Sequence, residues 1–302
     1  MQKRPLLAIA LTAAAALALT GCSAASSGSS ADDGKVRIVA STNVYGDIAS
    51  TIAGDAVEVT SIMDDPAQDP HSFEASAQNQ LAISKADIVI ENGGGYDDFV
   101  GTMLKAAPND KRTVLNVVDI SGKKAVDGEL NEHVWYDFPT VQKLADDLVT
   151  ALSKADPAQA STFTANAKAF GEKLTALENR TAELKTTYAG EGVAITEPVP
   201  LYLLEAAGLE NKTPEAFSEA IEEGTDVSPA VLQEMLGVIQ GGSVKLLAYN
   251  EQTSGPETEK VLAAAKQAGV PVVPVTETLP SGKDYIGWMN ANVDAVAKAL
   301  GE

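Results

Sequence analysis

From Lys35 onward the chain alternates short β-branched runs with stretches of helical periodicity, and that alternation limits the folds open to it. Residues 36–41, 57–62, 86–90 and 113–117 read as strands. Residues 44–53, 78–84 and 96–107 read as helices, the first ended by Gly54-Asp55. Strands separated by helices make βαβ units, whose crossovers impose a mostly parallel sheet. The alternation restarts with strands at 193–196, 246–249 and 272–275 and helices at 201–207, 257–267 and 285–300.

Between the two sets lies a longer pattern. Phe163, Phe170, Leu174, Leu177, Leu184 and Tyr188 follow one another at seven, four, three, seven and four residues, which is one apolar stripe on a helix. Asp156 suits the N-cap, Pro157 the first helical position, and Gly190 the stop. A continuous helix here spans on the order of 45–50 Å, enough either to bridge two lobes or to serve as a long core helix. The expected fold is α/β, with two lobes, each a mostly parallel sheet flanked by helices, bridged by that one helix. The expected bounds are an N-terminal lobe at 35–155, the linking helix at 156–189 and a C-terminal lobe at 190–302.

The first 34 residues have a different character. Lys3 and Arg4 precede an apolar stretch at 6–19, followed by Leu19-Thr20-Gly21-Cys22. That run is too short to span a bilayer and reads as a signal peptide over 1–21. Cys22 is the only cysteine, so it has no internal disulfide partner, and small residues before it fit a lipidation site. Residues 22–34 are rich in Ser and Gly and read as a flexible tether. Removing the leader takes away Lys3 and Arg4 and no acid, moving the formal charge from -20 to -22. So acidic a surface excludes nucleic acid as a partner and suits small cations.

Only two histidines occur, and each has acidic neighbours. His71 lies in Gln68-Asp69-Pro70-His71-Ser72-Phe73-Glu74, and His133 in Asn131-Glu132-His133-Val134-Trp135-Tyr136-Asp137. Neutral imidazole is a common ligand of divalent transition metals, and its second nitrogen needs an acceptor to fix the tautomer. Asp69 and Asp137 are placed to be such acceptors or to cap turns. Trp135 is placed to wall the site or to fill the core. His71 also falls in a loop after a strand, where parallel sheets bind ligands. Glu197 directly follows strand 193–196, and Glu277 follows 272–275 by two residues. Spacing alone does not separate these two from the other acids, of which the chain has 42 with them included.

Several tracts together resemble the zinc/manganese solute-binding lipoproteins of ABC importers. They are Asp69-Pro70-His71-Ser72-Phe73-Glu74, Glu132-His133-Val134-Trp135-Tyr136-Asp137, Glu197-Pro198-Val199-Pro200-Leu201-Tyr202-Leu203 with Ala207-Gly208-Leu209, and Glu277-Thr278-Leu279. Gly93-Gly94-Gly95-Tyr96-Asp97 and Asn250-Glu251-Gln252 also resemble family segments. The resemblance covers nearly the whole mature chain. It implies two α/β lobes with a rigid bridging helix and a metal in the cleft. It places the four ligands on His71, His133, Glu197 and Glu277, the last where the family usually has Asp. It further implies delivery to an ABC permease and its ATPase, and a monomer lipid-anchored through Cys22 to the outer face of the cell membrane.

Two imidazoles and two carboxylates form a harder set than three histidines, and 121–132 lacks a His-rich insertion. Both points favour Mn2+ over Zn2+, although intrinsic affinity runs the other way. Two other readings compete. An exported metallohydrolase needs an open metal position and a general base, and no His-Glu-x-x-His helix occurs. A surface adhesin with a structural metal would show adhesive repeats, and none is present.

Overall fold

The computed structural model describes residues 34–65, 68, 73–125 and 130–302. Cys22, the leader and nearly all of the tether, Asp69 and His71 lie outside the described residues. Residues 35–302 form one compact unit.

The N-terminal sheet is built from β1 (Val36–Thr42), β2 (Val57–Met63), β3 (Ile88–Glu91) and β4 (Thr113–Asn116). All its pairings are parallel and the order is β2-β1-β3-β4, with Ile38 opposite both Val59 and Ile88. Its crossovers are α1 (Asn43–Ala53), α2 (Ala77–Lys85) and α3 (Asp98–Ala106), and α4 (Val117–Ser121) follows β4. A turn of 3-10 helix at Val134–Tyr136 leads into α5 (Phe138–Ala155). Helix α5, absent from the expectations above, buries Phe138, Val141, Leu144, Ala145, Leu148 and Leu152 at helical spacing.

Asp156 does cap a helical start, but of a 3-10 turn at Pro157–Gln159, where its side chain accepts the Ala158 N–H. The long helix α6 then runs Ala160–Tyr188, 29 residues or about 44 Å. Its stripe of Phe163, Phe170, Leu174, Leu177 and Leu184 is buried as expected. Gly171 sits mid-helix facing α5, where a Cβ would stand 2.5 Å from Gln142 Oε1, the movable end of that side chain.

The second half repeats the topology. Strands β5 (Gly192–Ile195), β6 (Glu210–Asn211), β7 (Leu247–Asn250) and β8 (Val272–Val275) are parallel in the order β6-β5-β7-β8. Helices α7 (Leu201–Ala206), α8 (Glu215–Glu222), α9 (Pro229–Gln240), α10 (Pro256–Ala268) and α11 (Tyr285–Leu300) complete it. Strands β5 and β7 are buried along their whole length, as central parallel strands should be. Pro274 lies on edge strand β8, where its missing N–H costs no ladder bond on the outer side.

Each sheet has a smaller cluster of its own, around Val39, Ile83 and Val89 in the first and Phe217, Met235 and Leu247 in the second, but the largest is shared. One apolar cluster runs from Ile38 and Ile90 through Trp135, Phe163, Phe170 and Leu177 to Ile195, Ala248, Tyr285 and Trp288. Helix α6 packs on α1 and α5 at one side and on α7 and α11 at the other. Each large side chain buried there contributes about 1.5–3 kcal/mol, so opening the lobes about α6 would expose a shared core. No helix among the described residues is long and apolar enough to cross a membrane.

Candidate metal centre

In an open parallel sheet, ligands bind beyond the carboxyl ends of the strands, where the strand order reverses. That point lies between β1 and β3 in the first sheet and between β5 and β7 in the second. Thr196 and Glu197 leave the end of β5, Asn250 ends β7, Asn43 follows β1 and Asn92 follows β3. The chain thus delivers polar side chains to both switch points.

Glu197 and Glu277 are 3% and 1% exposed, unusual for carboxylates unless they are paired or bind a cation. The structure brings them onto one donor. Asn250 Nδ2 donates to Glu197 Oε2 and, at 2.8 Å, to Glu277 Oε1. Thr253 Oγ1 also donates to Glu197 Oε2, at 2.5 Å. Gln252 Oε1 accepts the backbone N–H of Glu277 at 2.6 Å, while its Nε2 donates to Thr278 Oγ1 at 2.9 Å and to Gln68 O at 3.3 Å.

His133 is fully buried at the N-cap position of the 3-10 turn, and its side chain makes no capping bond there. Its tautomer follows from its neighbours. The backbone N–H of His133 donates to Asn131 Oδ1 at 3.0 Å, and Asn131 Nδ2 donates to Pro198 O at 3.1 Å. A carbonyl can only accept and an N–H can only donate, so the Asn131 amide has one orientation. The 2.8 Å contact from His133 Nδ1 to Asn131 Oδ1 therefore has the imidazole donating. In the neutral ring the proton is on Nδ1 and the lone pair on Nε2, the form needed for metal ligation through Nε2.

Asp137 was expected either to accept from an imidazole or to cap a turn. It caps α5, accepting Thr140 N–H at 3.1 Å and Thr140 Oγ1–H at 2.5 Å, while its other oxygen takes Lys123 Nζ at 2.9 Å. The acceptor for His133 is an amide two residues upstream, because the tight turn folds Asn131 back over the ring. Trp135, expected either to wall the site or to fill the core, packs in the core and beside His133. It is buried in the shared core, and its ring stands 5.1 Å from that of His133 at 62°. Tyr96 adds a second face, 5.8 Å from His133 and 4.8 Å from Trp135. Burial, then the Glu277 charge, keeps the Tyr96 proton on well above the ordinary phenol range. One tyrosine thus borders both the imidazole and the carboxylate. His71 and Asp69 lie outside the described residues.

Sequence reasoning also missed Glu222. Among the described residues, Glu132, His133 and Glu222 bring potential donor atoms within 4.8 Å of one another, and Glu222 Oε1 is 3.7 Å from His133 Nδ1. The Glu222 contact lies on the ring side already engaged by Asn131.

Cross-lobe hydrogen bonds hold the second half of the site against the first. Asn43 Nδ2 donates to Leu279 O and Asn43 Oδ1 accepts Leu279 N–H, both at 2.9 Å. Tyr136 Oη donates to Thr276 O at 2.8 Å, beside Glu277. Tyr202 Oη donates to Asn131 O at 2.6 Å, and Lys123 Nζ lies 4.2 Å over the Tyr202 ring. Burial and the Asp137, Glu205 and Glu132 charges push Tyr202 up to about 12, so it remains a donor at neutral pH. The carbonyl and amide signals were present in the sequence as Asn131 and Asn250, but their partners are far away along the chain.

The family model for the periplasmic zinc-uptake complex component A matches residues 38–299. The chain belongs to this family. Relatives carry consistent names. The manganese ABC transporter substrate-binding lipoprotein scaA of Streptococcus gordonii is 25% identical over 301 residues, covering 93% of this chain and 94% of the relative. The manganese-binding lipoprotein MntA of Bacillus subtilis is 26% identical over 300 residues, covering 95% and 96%. The fold is that of FpvC from Pseudomonas aeruginosa, solved in complex with Mn2+, with TM-score 0.73, 24% identity and coverage of 88% and 98%. The periplasmic zinc binding protein TroA from Treponema pallidum also has TM-score 0.73, at 21% identity and coverage of 89% and 100%. Family members are substrate-binding proteins, and scaA is named as the substrate-binding lipoprotein of an ABC transporter.

Proposed function

We propose that the chain is an extracytoplasmic metal-capture subunit. It holds one divalent transition metal between its two lobes, through His71, His133, Glu197 and Glu277, and passes it to an ABC permease driven by its ATPase. The observation that carries this is the joining of two buried carboxylates, Glu197 and Glu277, on one neutral donor, Asn250. Two buried carboxylates converging on one donor offer the hard oxygen ligands that a divalent cation takes. The Nδ1–H tautomer of His133 supports ligation through Nε2. Two imidazoles with two carboxylates, and relatives named for manganese, favour Mn2+ as cargo over Zn2+.

The ion is cargo, so the protein is a carrier and not an enzyme. The lobes are residues 35–155 and 190–302, joined by the linking segment 156–189 that carries α6, and the protein acts as a monomer. Residues 1–21 are a signal peptide, and Cys22 bears the lipid that anchors the tether to the outer face of the cell membrane. The shared core favours capture and release by small shifts of loops rather than wide opening.

Metal-stripped residues 35–302 titrated with Mn2+ and Zn2+ in a calorimeter test this reading. One-to-one Mn2+ binding that Glu277→Ala abolishes is the expected result. Binding indifferent to Glu277 would refute the ligand set.

A further inference from the structure

We propose that Asn250 is the positioning residue of the carboxylate half of the site: one neutral NH2 group that aims Glu197 and Glu277 at a common point before an ion arrives. This rests on the reading of those two glutamates as ligands.

Asn250 ends the fully buried strand β7 and is itself 0% exposed. Its amide has no freedom to flip. Gln252 N–H donates to Asn250 Oδ1 at 3.0 Å, so the oxygen is committed to the turn and Nδ2 must face the acids. The backbone is fixed as well, because Asn250 N–H donates to Thr196 Oγ1 at 2.9 Å, on the residue just before Glu197. A primary amide has two N–H bonds in one plane, diverging by about 120°, and each can serve a different acceptor. Here one serves Glu197 Oε2 and the other Glu277 Oε1. The plane of one side chain therefore sets where both oxygens stand.

The residue type matters as much as the position. Lysine or arginine here would neutralise the acids and compete with the incoming cation. Aspartate would set a third negative charge beside two buried ones. Alanine would leave two buried carboxylates short of a donor, a costly state. Asparagine alone among these donates to one oxygen of each acid without bringing a charge of its own. The rest of the turn works toward the same end: Thr253 pins Glu197 Oε2 a second time, and Gln252 Oε1 holds the Glu277 backbone. Three of the four residues in Asn250-Glu251-Gln252-Thr253 thus act on the two acids. This is preorganisation: the ordering of the ligands is done during folding rather than during binding.

The test uses metal-stripped residues 35–302, a compact unit with its own core, as wild type, Asn250→Ala, Asn250→Ser, Glu197→Gln and Glu277→Gln. Mn2+ and Zn2+ affinities are measured by calorimetry and the Mn2+ complexes by electron paramagnetic resonance. Loss of such a supporting partner lowers metal affinity about 10–100-fold, and Asn250→Ala is expected in that range with an altered Mn2+ spectrum. A residue serving only the fold would lower the melting temperature and leave the Mn2+ spectrum and affinity unchanged, which would overturn the proposal. Should Asn250→Ala fail to unfold cooperatively, Asn250→Ser decides: its hydroxyl is too short to bridge, so wild-type affinity there overturns the proposal equally. The two glutamate variants separate the failures. If both bind as wild type, the ligand reading falls. If they lose binding while the Asn250 variants keep it, only the positioning role falls.

Discussion

Replacing Asn43 by alanine removes the two-bond clasp that fastens the Glu277 segment to the first lobe. The wild-type side chain gives and takes one hydrogen bond with the backbone of Leu279, both at 2.9 Å, and Leu279 is 8% exposed. An unsatisfied buried donor or acceptor costs about 1–3 kcal/mol, and two are created here. Asn43 itself is half-buried, so water reaches part of the gap and the lower end applies, giving about 2–3 kcal/mol in all. Helix propensity works against this loss, since Asn43 opens α1 and alanine is the better helix former. At about 2–4 °C per kcal/mol for a chain of this size, the melting temperature falls by about 5–10 °C. Urea unfolding of metal-free residues 35–302 measures it, with a lower midpoint and an unchanged slope. Because Glu277 lies two residues before Leu279, Mn2+ affinity should fall in the same variant. A stability loss below about 0.5 kcal/mol, the range of an ordinary surface substitution, would show that water replaces both bonds and that the clasp holds nothing.

The other expectations are more local. Trp135→Ala empties a site in the shared core beside His133, and a loss of about 3–5 kcal/mol in urea unfolding is expected; a change under 1 kcal/mol would contradict its packing role. Gly93→Ala puts a side chain at φ 78° with its Cβ 2.3 Å from Asn116 Nδ2, so strain plus displacement of Asn116 should cost about 2–4 kcal/mol by the same measurement. Burial raises the Asp97 carboxyl despite the Asn92 and Gly93 N–H groups that donate to it. Between the ordinary aspartate range and that raised value the folded state binds more protons than the unfolded, so its contribution to stability falls as pH rises. Asp97→Asn should remove that downward slope from stability measured across acid to neutral pH, and an unchanged slope would assign it elsewhere. Metal affinity should weaken on acidification below about pH 6.5, because protons compete for imidazole nitrogen, and a flat profile would argue against histidine ligands.

What the sequence determined by itself were the features written in local periodicity. Most strands and helices of both α/β halves could be read there, as could the stripe Phe163–Phe170–Leu174–Leu177–Leu184, because period and capping act over a few residues. The short edge strand Glu210–Asn211 could not: it is exposed and exists only by pairing with β5. Helix α5 shows a readable spacing, yet the tract around His133 that leads into it drew the reading toward a site. Candidate donors were legible as residue types after strands. Their company was not. That Asn131 rather than Asp137 accepts from His133 depends on how a 3-10 turn folds back, and Asp137 is diverted by the nearer demand of an orphaned helix N-terminus. That Asn250 meets Glu197 and Glu277, 53 and 27 residues away, depends on β5, β7 and β8 lying side by side. Hydrogen bonds of that range are made by strand order and crossover geometry, which only the tertiary structure decides.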